Sequence, residues 1–280
     1  MKKRSLKFKL IFGGVMAVVL PLTVVGLFSV NKASNALVNA ATGQAVQIAE
    51  NLAVMTDLMM EEEIKLAREM ALEPVIEKTV LDVHKNGMEH SQARITELDS
   101  FFSRVFGEIG TGYDLFLVTD GHGRVVADST GGSLREKHLS LSDRDYFQTA
   151  RTGKVSIGTP VLSRSSGKPV VVVAVPILTE TRQFAGLFAS VIQLDRLSDK
   201  ITSVKIGETG YPFMIGTDGL VLSHPKKEFI LDLNLARLDG MTAITRQMMD
   251  LQSGVNTYRF KGVDKIAGFA PVTHTGWSIG

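Results

Sequence analysis

Residues 10–30 form the first strong pattern in the chain, an apolar run without a single charge that follows a cluster of basic residues, Lys2, Lys3, Arg4, Lys7 and Lys9. At ~1.5 Å per residue, about 21 helical residues span roughly 31 Å, which matches a bilayer's hydrocarbon core. The apolar positions then fall into helical spacing. Leu37, Ala41, Ala45, Ile48, Leu52, Met55, Met59, Leu66 and Met70 recur three or four apart. That stripe predicts one long amphipathic helix over 31–74, closed by Pro74. Further helix is expected over 75–106, around a polar break at Asn86-Gly87.

From there the period shortens towards that of strands. Strands are predicted at 113–119, 124–128, 154–164, 169–177 and 184–194, with a short helix at 142–151 capped by Ser142 or Asp143. Residues 170–175 are apolar on both faces, as in a central strand covered on each side. A second, shorter series follows: a hairpin near residue 213, a polar stretch over 224–238, a helix near 241–251, and strands at 255–261, 266–272 and from Trp277. Both series open on the same phrase, Thr111-Gly112-Tyr113 before Thr119-Asp120-Gly121, and Thr209-Gly210-Tyr211 before Thr217-Asp218-Gly219. Asp-Gly between apolar runs signals a hairpin turn, so Asp120 and Asp218 read as turn formers. Hairpin, helix, then strands in the same order predicts two copies of one α+β module.

Charge and composition narrow the class. The 280 residues carry a net charge of +2, much of it in the N-terminal cluster, so no basic stripe suggests nucleic acid. Cysteine is absent, which excludes disulfides, thiolate metal sites and thiol nucleophiles. The apolar run is longer than a signal peptide's and lacks a clean cleavage site, so it reads as an uncleaved anchor. Basic residues before it place the N-terminus in the cytoplasm and residues beyond 30 outside. The last residues, Gly276 to Gly280, read as a strand still in progress, so further chain is expected beyond them.

Several phrases carry a family resemblance. Asp143-Arg144-Asp145-Tyr146-Phe147, Gly158-Thr159-Pro160-Val161 and Ser165-Ser166-Gly167-Lys168-Pro169 are three of them. Gly207-Glu208-Thr209-Gly210-Tyr211 and Lys261-Gly262-Val263-Asp264-Lys265 are two more. With the anchor and the long helix, they resemble the N-terminal region of a bacterial methyl-accepting chemotaxis protein with a double Cache sensor. The resemblance implies two tandem PAS-like modules with antiparallel sheets along a stalk helix. Its boundaries here would be a cytoplasmic N-terminus (1–9), a transmembrane helix (10–30), a stalk (31–74), a membrane-distal module (75–200) and a membrane-proximal module (201–280). It also implies location in the cell inner membrane with a periplasmic sensor, a homodimer, and cytoplasmic kinase and adaptor partners reached through a later region.

The resemblance also places ligand in the distal module. Arg144 stands where relatives that bind amino acids hold a carboxylate with Arg, and Tyr146 replaces their Trp. Phe147 and Val191 stand where their amine-side Tyr and Asp are expected, and Leu139 and Val161 replace two pocket tyrosines. Without a carboxylate at Val191 a buried ammonium would lack a partner, which disfavours an ordinary amino acid. A small carboxylate or another weakly polar organic ligand fits better. Asp128 and Ser129, at the end of the first hairpin, complete the candidate set.

No catalytic motif is present, and no cofactor or metal is expected. His84, His90, His122, His138, His224 and His274 are scattered and read as mostly exposed, and Glu61, Glu62 and Glu63 read as a solvated helix face. The same sensor on a histidine kinase or a diguanylate cyclase, or an anchored binding protein without output, are the alternatives.

Overall fold

The computed structural model describes residues 6–260 and 262–280. Residues 1–5 of the basic N-terminus, and Lys261 at the end of a predicted strand, lie outside the described residues. The fold mixes helix and antiparallel sheet. Helix α1 (Leu6–Ala71) runs for 66 residues without interruption, through Pro21, which at ~1.5 Å per residue makes it about 100 Å long. Its N-terminal part is apolar and exposed, long enough to cross a membrane. Its C-terminal part buries Ala49, Leu52, Ala53, Thr56, Met60, Ala67, Met70 and Ala71. The predicted stripe is therefore rotated by about one residue. Small side chains at 49, 53 and 67 let the sheets approach, while Ile48, Met55, Met59 and Leu66 sit at the flanks.

Helices α2 (Pro74–Asn86) and α3 (Gln92–Ile109) part at Gly87, whose φ of 81° ends the first of them. They bury Ile76, Val80, Val83, Ile95, Leu98 and Phe102 against one face of the first sheet. That sheet has the order β2 (Val125–Asp128), β1 (Tyr113–Asp120), β6 (Phe184–Gln193), β5 (Pro169–Leu178), β3 (Ser156–Ile157), with β4 (Val161–Leu162) also on β5. Phe116, Val118, Val171, Val173, Phe188 and Ile192 face the helices. Leu115, Leu117, Val170, Val172, Val191 and Leu187 face the opposite way, towards a layer of loops with α4 (Ser133–Glu136) and α5 (Asp145–Ala150).

Two expectations change here. The strand expected over 154–164 is split into β3 and β4 by Gly158-Thr159-Pro160. The short helix begins at Asp145, with Arg144 in extended backbone as its cap, rather than at Ser142 or Asp143. Asp145 spends its carboxylate on the neighbouring loop, as described below.

Helix α6 (Leu194–Thr202) leaves β6 and leads to the second sheet, ordered β8 (Val221–Ser223), β7 (Met214–Ile215), β11 (Trp277–Ile279), β10 (Val263–Val272), β9 (Gly254–Phe260). Met214, Leu222, Ala270, Val272, Trp277 and Ile279 share one continuous core with the C-terminal part of α1 and the first sheet. The other face packs on Ile244 and Met248 of α7 (Thr242–Met249). Gly268 on β10 lies so close to α1 that a Cβ there would stand 2.3 Å from the Ala45 carbonyl carbon.

The two hairpin turns do not use the repeated phrase in the same register. The left-handed residue is Gly123 in the first and Gly219 in the second. Gly219 belongs to the second Thr-Asp-Gly, whereas Gly121 of the first does not take positive φ.

Candidate functional site

A small cavity of about 40 Å³ lies on the loop side of the first sheet. Leu115, Leu117, Val170, Val172 and Val191 form its floor. Leu134, Leu139 and Leu141 close one side, and Arg144, Tyr146, Val161 and the 162–165 segment close the other. The floor follows from strand alternation, since these are the positions that point away from the helices. Two arginines, Arg144 and Arg164, contribute to this lining, and among the described residues no Asp or Glu does.

Arg144 is placed by its capping position. Its backbone N–H donates to the Leu141 carbonyl at 3.0 Å, and its own carbonyl accepts from Gln148 at 3.1 Å, so the residue is pinned at both ends. The Arg144 Nε–H is buried and finds no acceptor among the described residues. A buried donor in that state costs free energy that an incoming anion recovers.

Tyr146 is 5% exposed, and burial pushes its phenol up to about 12, so it stays a neutral donor at physiological pH. Its ring rests on Gly158, where a Cβ would come within 2.6 Å of it. Asp145 secures that contact: its Oδ2 accepts from Thr159 N–H at 2.8 Å and Thr159 Oγ1 at 2.6 Å. Arg164 is turned outward, donating to Asp143 at 2.6 Å and to the Ser140 carbonyl at 2.8 Å. It thereby clasps the loop before α5 to the hairpin after β4.

Of the residues singled out from sequence, Arg144, Tyr146, Val161, Val191 and Leu139 meet in this lining. Asp128, Ser129 and Phe147 do not. Asp128 organises the following loop, accepting from Thr130 N–H, Gly132 N–H and Leu134 N–H at 2.9, 3.3 and 3.0 Å. Ser129 Oγ accepts from Phe116 N–H at 3.0 Å. Phe147 is core, edge-on to Phe184 at 5.6 Å. Ser163 and Arg164 line the cavity as well. The only signal for them was their position ahead of the Ser165-Ser166-Gly167 turn.

Two further readings are corrected. Glu63 is 6% exposed rather than solvated, and Tyr113 Oη donates to it at 2.7 Å. His224 is buried too, its ring between Tyr211 at 5.0 Å and Phe229 at 4.9 Å. Among the described residues no group of His, Asp and Glu is arranged to hold a metal.

The family model described as the Cache domain matches residues 30–280. This chain belongs to the Cache domain family. It is 23% identical to the methyl-accepting chemotaxis protein McpA of Bacillus subtilis, over an alignment that takes in all of this chain and 39% of that protein. The chain thus spans about two-fifths of that relative's length. Among solved structures, the extracellular domain of mmHK1S-Z2, assigned as a histidine kinase, matches with a TM-score of 0.63 at 21% identity, covering 86% of this chain and 95% of that one. The ligand-binding domain of the Pseudomonas aeruginosa amino acid chemoreceptor PctB, in complex with L-Arg, matches with a TM-score of 0.56 at 18% identity, covering 83% and 90%. At these identities the structural likeness speaks for the fold.

Proposed function

We propose that this chain is the extracytoplasmic sensing and membrane-anchoring part of a chemoreceptor, and that its ligand is a small carboxylate held in the cavity of the first module. In this reading residues 10–30 of α1 span the membrane with residues 1–9 cytoplasmic, and 31–74 form the stalk. Residues 75–200 and 201–280 form membrane-distal and membrane-proximal PAS-like Cache modules. The exposed stalk face with Val54 and Leu58 offers a seam for a second copy. Output to cytoplasmic kinase and adaptor proteins passes through a region outside residues 1–280.

The observation that carries the ligand assignment is the buried, acceptor-less Arg144 Nε–H beside an apolar floor with no carboxylate. An anion completes Arg144, and a short alkyl chain suits the leucines and valines. An ammonium finds no counter-charge in the lining. The PctB domain is in complex with L-Arg; in this chain Val191 stands where the family resemblance leads to the expectation of an Asp for an amine.

A thermal-shift and calorimetric screen of residues 31–280 tests the assignment. Acetate, propionate and pyruvate are expected to stabilise the domain, and L-amino acids are not. Arg144→Ala removes a charge-assisted hydrogen bond of about 1.5–3 kcal/mol, so Kd should rise roughly 10- to 100-fold. Val191→Asp should weaken carboxylate binding and admit an amino acid. A wild-type domain that binds plain L-amino acids as well as it binds propionate would sink the assignment. The likeness to mmHK1S-Z2 supports a second reading, the same sensor driving a histidine kinase; the coding sequence beyond residue 280 separates the two.

A further inference from the structure

The cavity and the stalk lie on opposite faces of the first sheet, yet one irregularity in β1 joins them. Tyr113 is opposite Ile192 on β6, while Leu115 is opposite Val191. Asp114 is therefore an extra residue, a β-bulge, and it reverses the alternation of side chains. Tyr113 belongs to the helix-side core and Leu115 to the cavity floor.

Each end of the bulge is tied down. On the cavity side, Asp114 Oδ2 accepts from Ser163 Oγ at 2.6 Å, and Ser163 lines the cavity. The same hydroxyl accepts from Ser165 N–H at 3.1 Å and Ser166 N–H at 3.3 Å, so Asp114 holds the whole hairpin tip. On the stalk side, Tyr113 Oη donates to Glu63 Oε2 at 2.7 Å. Arg196 of α6 places its guanidinium 5.0 Å above the Tyr113 ring and its Nη1 2.8 Å from Glu63 Oε1. Glu63 is a buried acid on the helix that would cross the membrane. Two adjacent residues thus connect the cavity wall, the stalk and the helix leading to the second sheet.

We propose that the Tyr113-Asp114 bulge is the mechanical link by which the state of the cavity is passed to the stalk. This deepens the reading above, because it takes the cavity as the ligand site. A ligand that draws the 163–166 tip towards Arg144 pulls on Asp114. The bulge moves as a unit, and Tyr113 then shifts Glu63 and α1 relative to the sheet. Ser163, Asp114 and Tyr113 are positioning residues in this scheme.

The absence of cysteine makes the test clean. Spin labels at Glu69→Cys on α1, an exposed position away from Val54 and Leu58, and at Glu180→Cys on the β5–β6 turn report the stalk-to-sheet distance in the chain 1–280 in nanodiscs. Without ligand, Ser163→Ala and Tyr113→Phe should each shift that distance distribution in the same direction. Their double variant should add nothing beyond the larger single shift. Thr79→Val, which removes a hydroxyl on α2 bonded only to Val75, should leave the distribution unmoved. With sodium propionate, the wild-type distance should shift, while Tyr113→Phe should still bind propionate and lose the shift. Overturning results are a Ser163→Ala distribution identical to wild type, full additivity in the double variant, or an intact propionate response in Tyr113→Phe. Failure of propionate to bind wild type would instead remove the carboxylate assignment, and the ligand-free variants would still decide the link.

Discussion

His224 shows how much a single residue depends on its surroundings. In sequence it is one of six scattered histidines. In the fold its Nδ1 accepts from Lys226 N–H at 2.9 Å, and aromatic rings cover both sides. Burial first, then the positive charges of Lys226 and Lys265, lower its pKa from 6.5 to about 4, against a small opposing effect of Glu228. A depressed histidine favours the neutral form, so its contribution to stability is full above pH 6.5 and is lost as the pH falls towards 4. Between pH 7 and pH 5 the loss should be about 2 kcal/mol, or roughly 4–8 °C in Tm. His224→Gln keeps an acceptor for Lys226 N–H and should flatten that part of the pH–Tm curve measured by calorimetry. An unchanged slope in the variant would mean that other groups carry the acid sensitivity.

Among the elements, α1 decides most. Its buried side sets small residues among Leu52, Met60 and Met70, and both sheets settle on it. Gly268 of β10 touches the Ala45 backbone directly. Gly268→Ala should therefore cost about 1–3 kcal/mol, the usual range for overpacking a close contact. Hydrogen exchange should accelerate in the second sheet and in α1 near residue 45, and leave the first sheet's central strands slow. An equal acceleration everywhere would show that the contact is not local. Asp57 ties the same helix to the β10–β11 turn. Burial alone would raise its pKa, and the N–H donors of His274 and Thr273, both at 2.9 Å, outweigh it and hold it below the usual carboxylate range.

At the scale of the molecule, one hydrophobic core runs from the stalk into both sheets. Ser198 on α6 and Ser223 on β8 share a buried hydrogen bond at 2.9 Å, which joins the linking helix to the second sheet. Residues 31–280 should accordingly unfold in one transition, with calorimetric and van't Hoff enthalpies equal. Met60 is fully buried, and Met60→Ala should lower that single Tm by an amount equivalent to about 2–5 kcal/mol. Two resolved transitions, only one of them moved by Met60→Ala, would show that the sheets melt independently.

Much of this architecture is legible in the sequence because it rests on local periodicity. The uncharged run, the long helix that continues from it, the helix break at Gly87 and the central strands all follow from spacing and composition. Arg144, Tyr146, Val161 and Val191 were reached by resemblance, and strand alternation explains why Val191 faces the cavity. The rest depended on contacts between distant segments. The rotation of the stalk stripe was set by where two sheets dock, and Phe147 went to the core because Phe184 was there to meet it. Glu63 and His224 are ordinary polar letters in the chain. Only tertiary packing buries them, since the partners that compensate a buried charge or ring, Tyr113 and Arg196 or Tyr211 and Phe229, come from other parts of the fold.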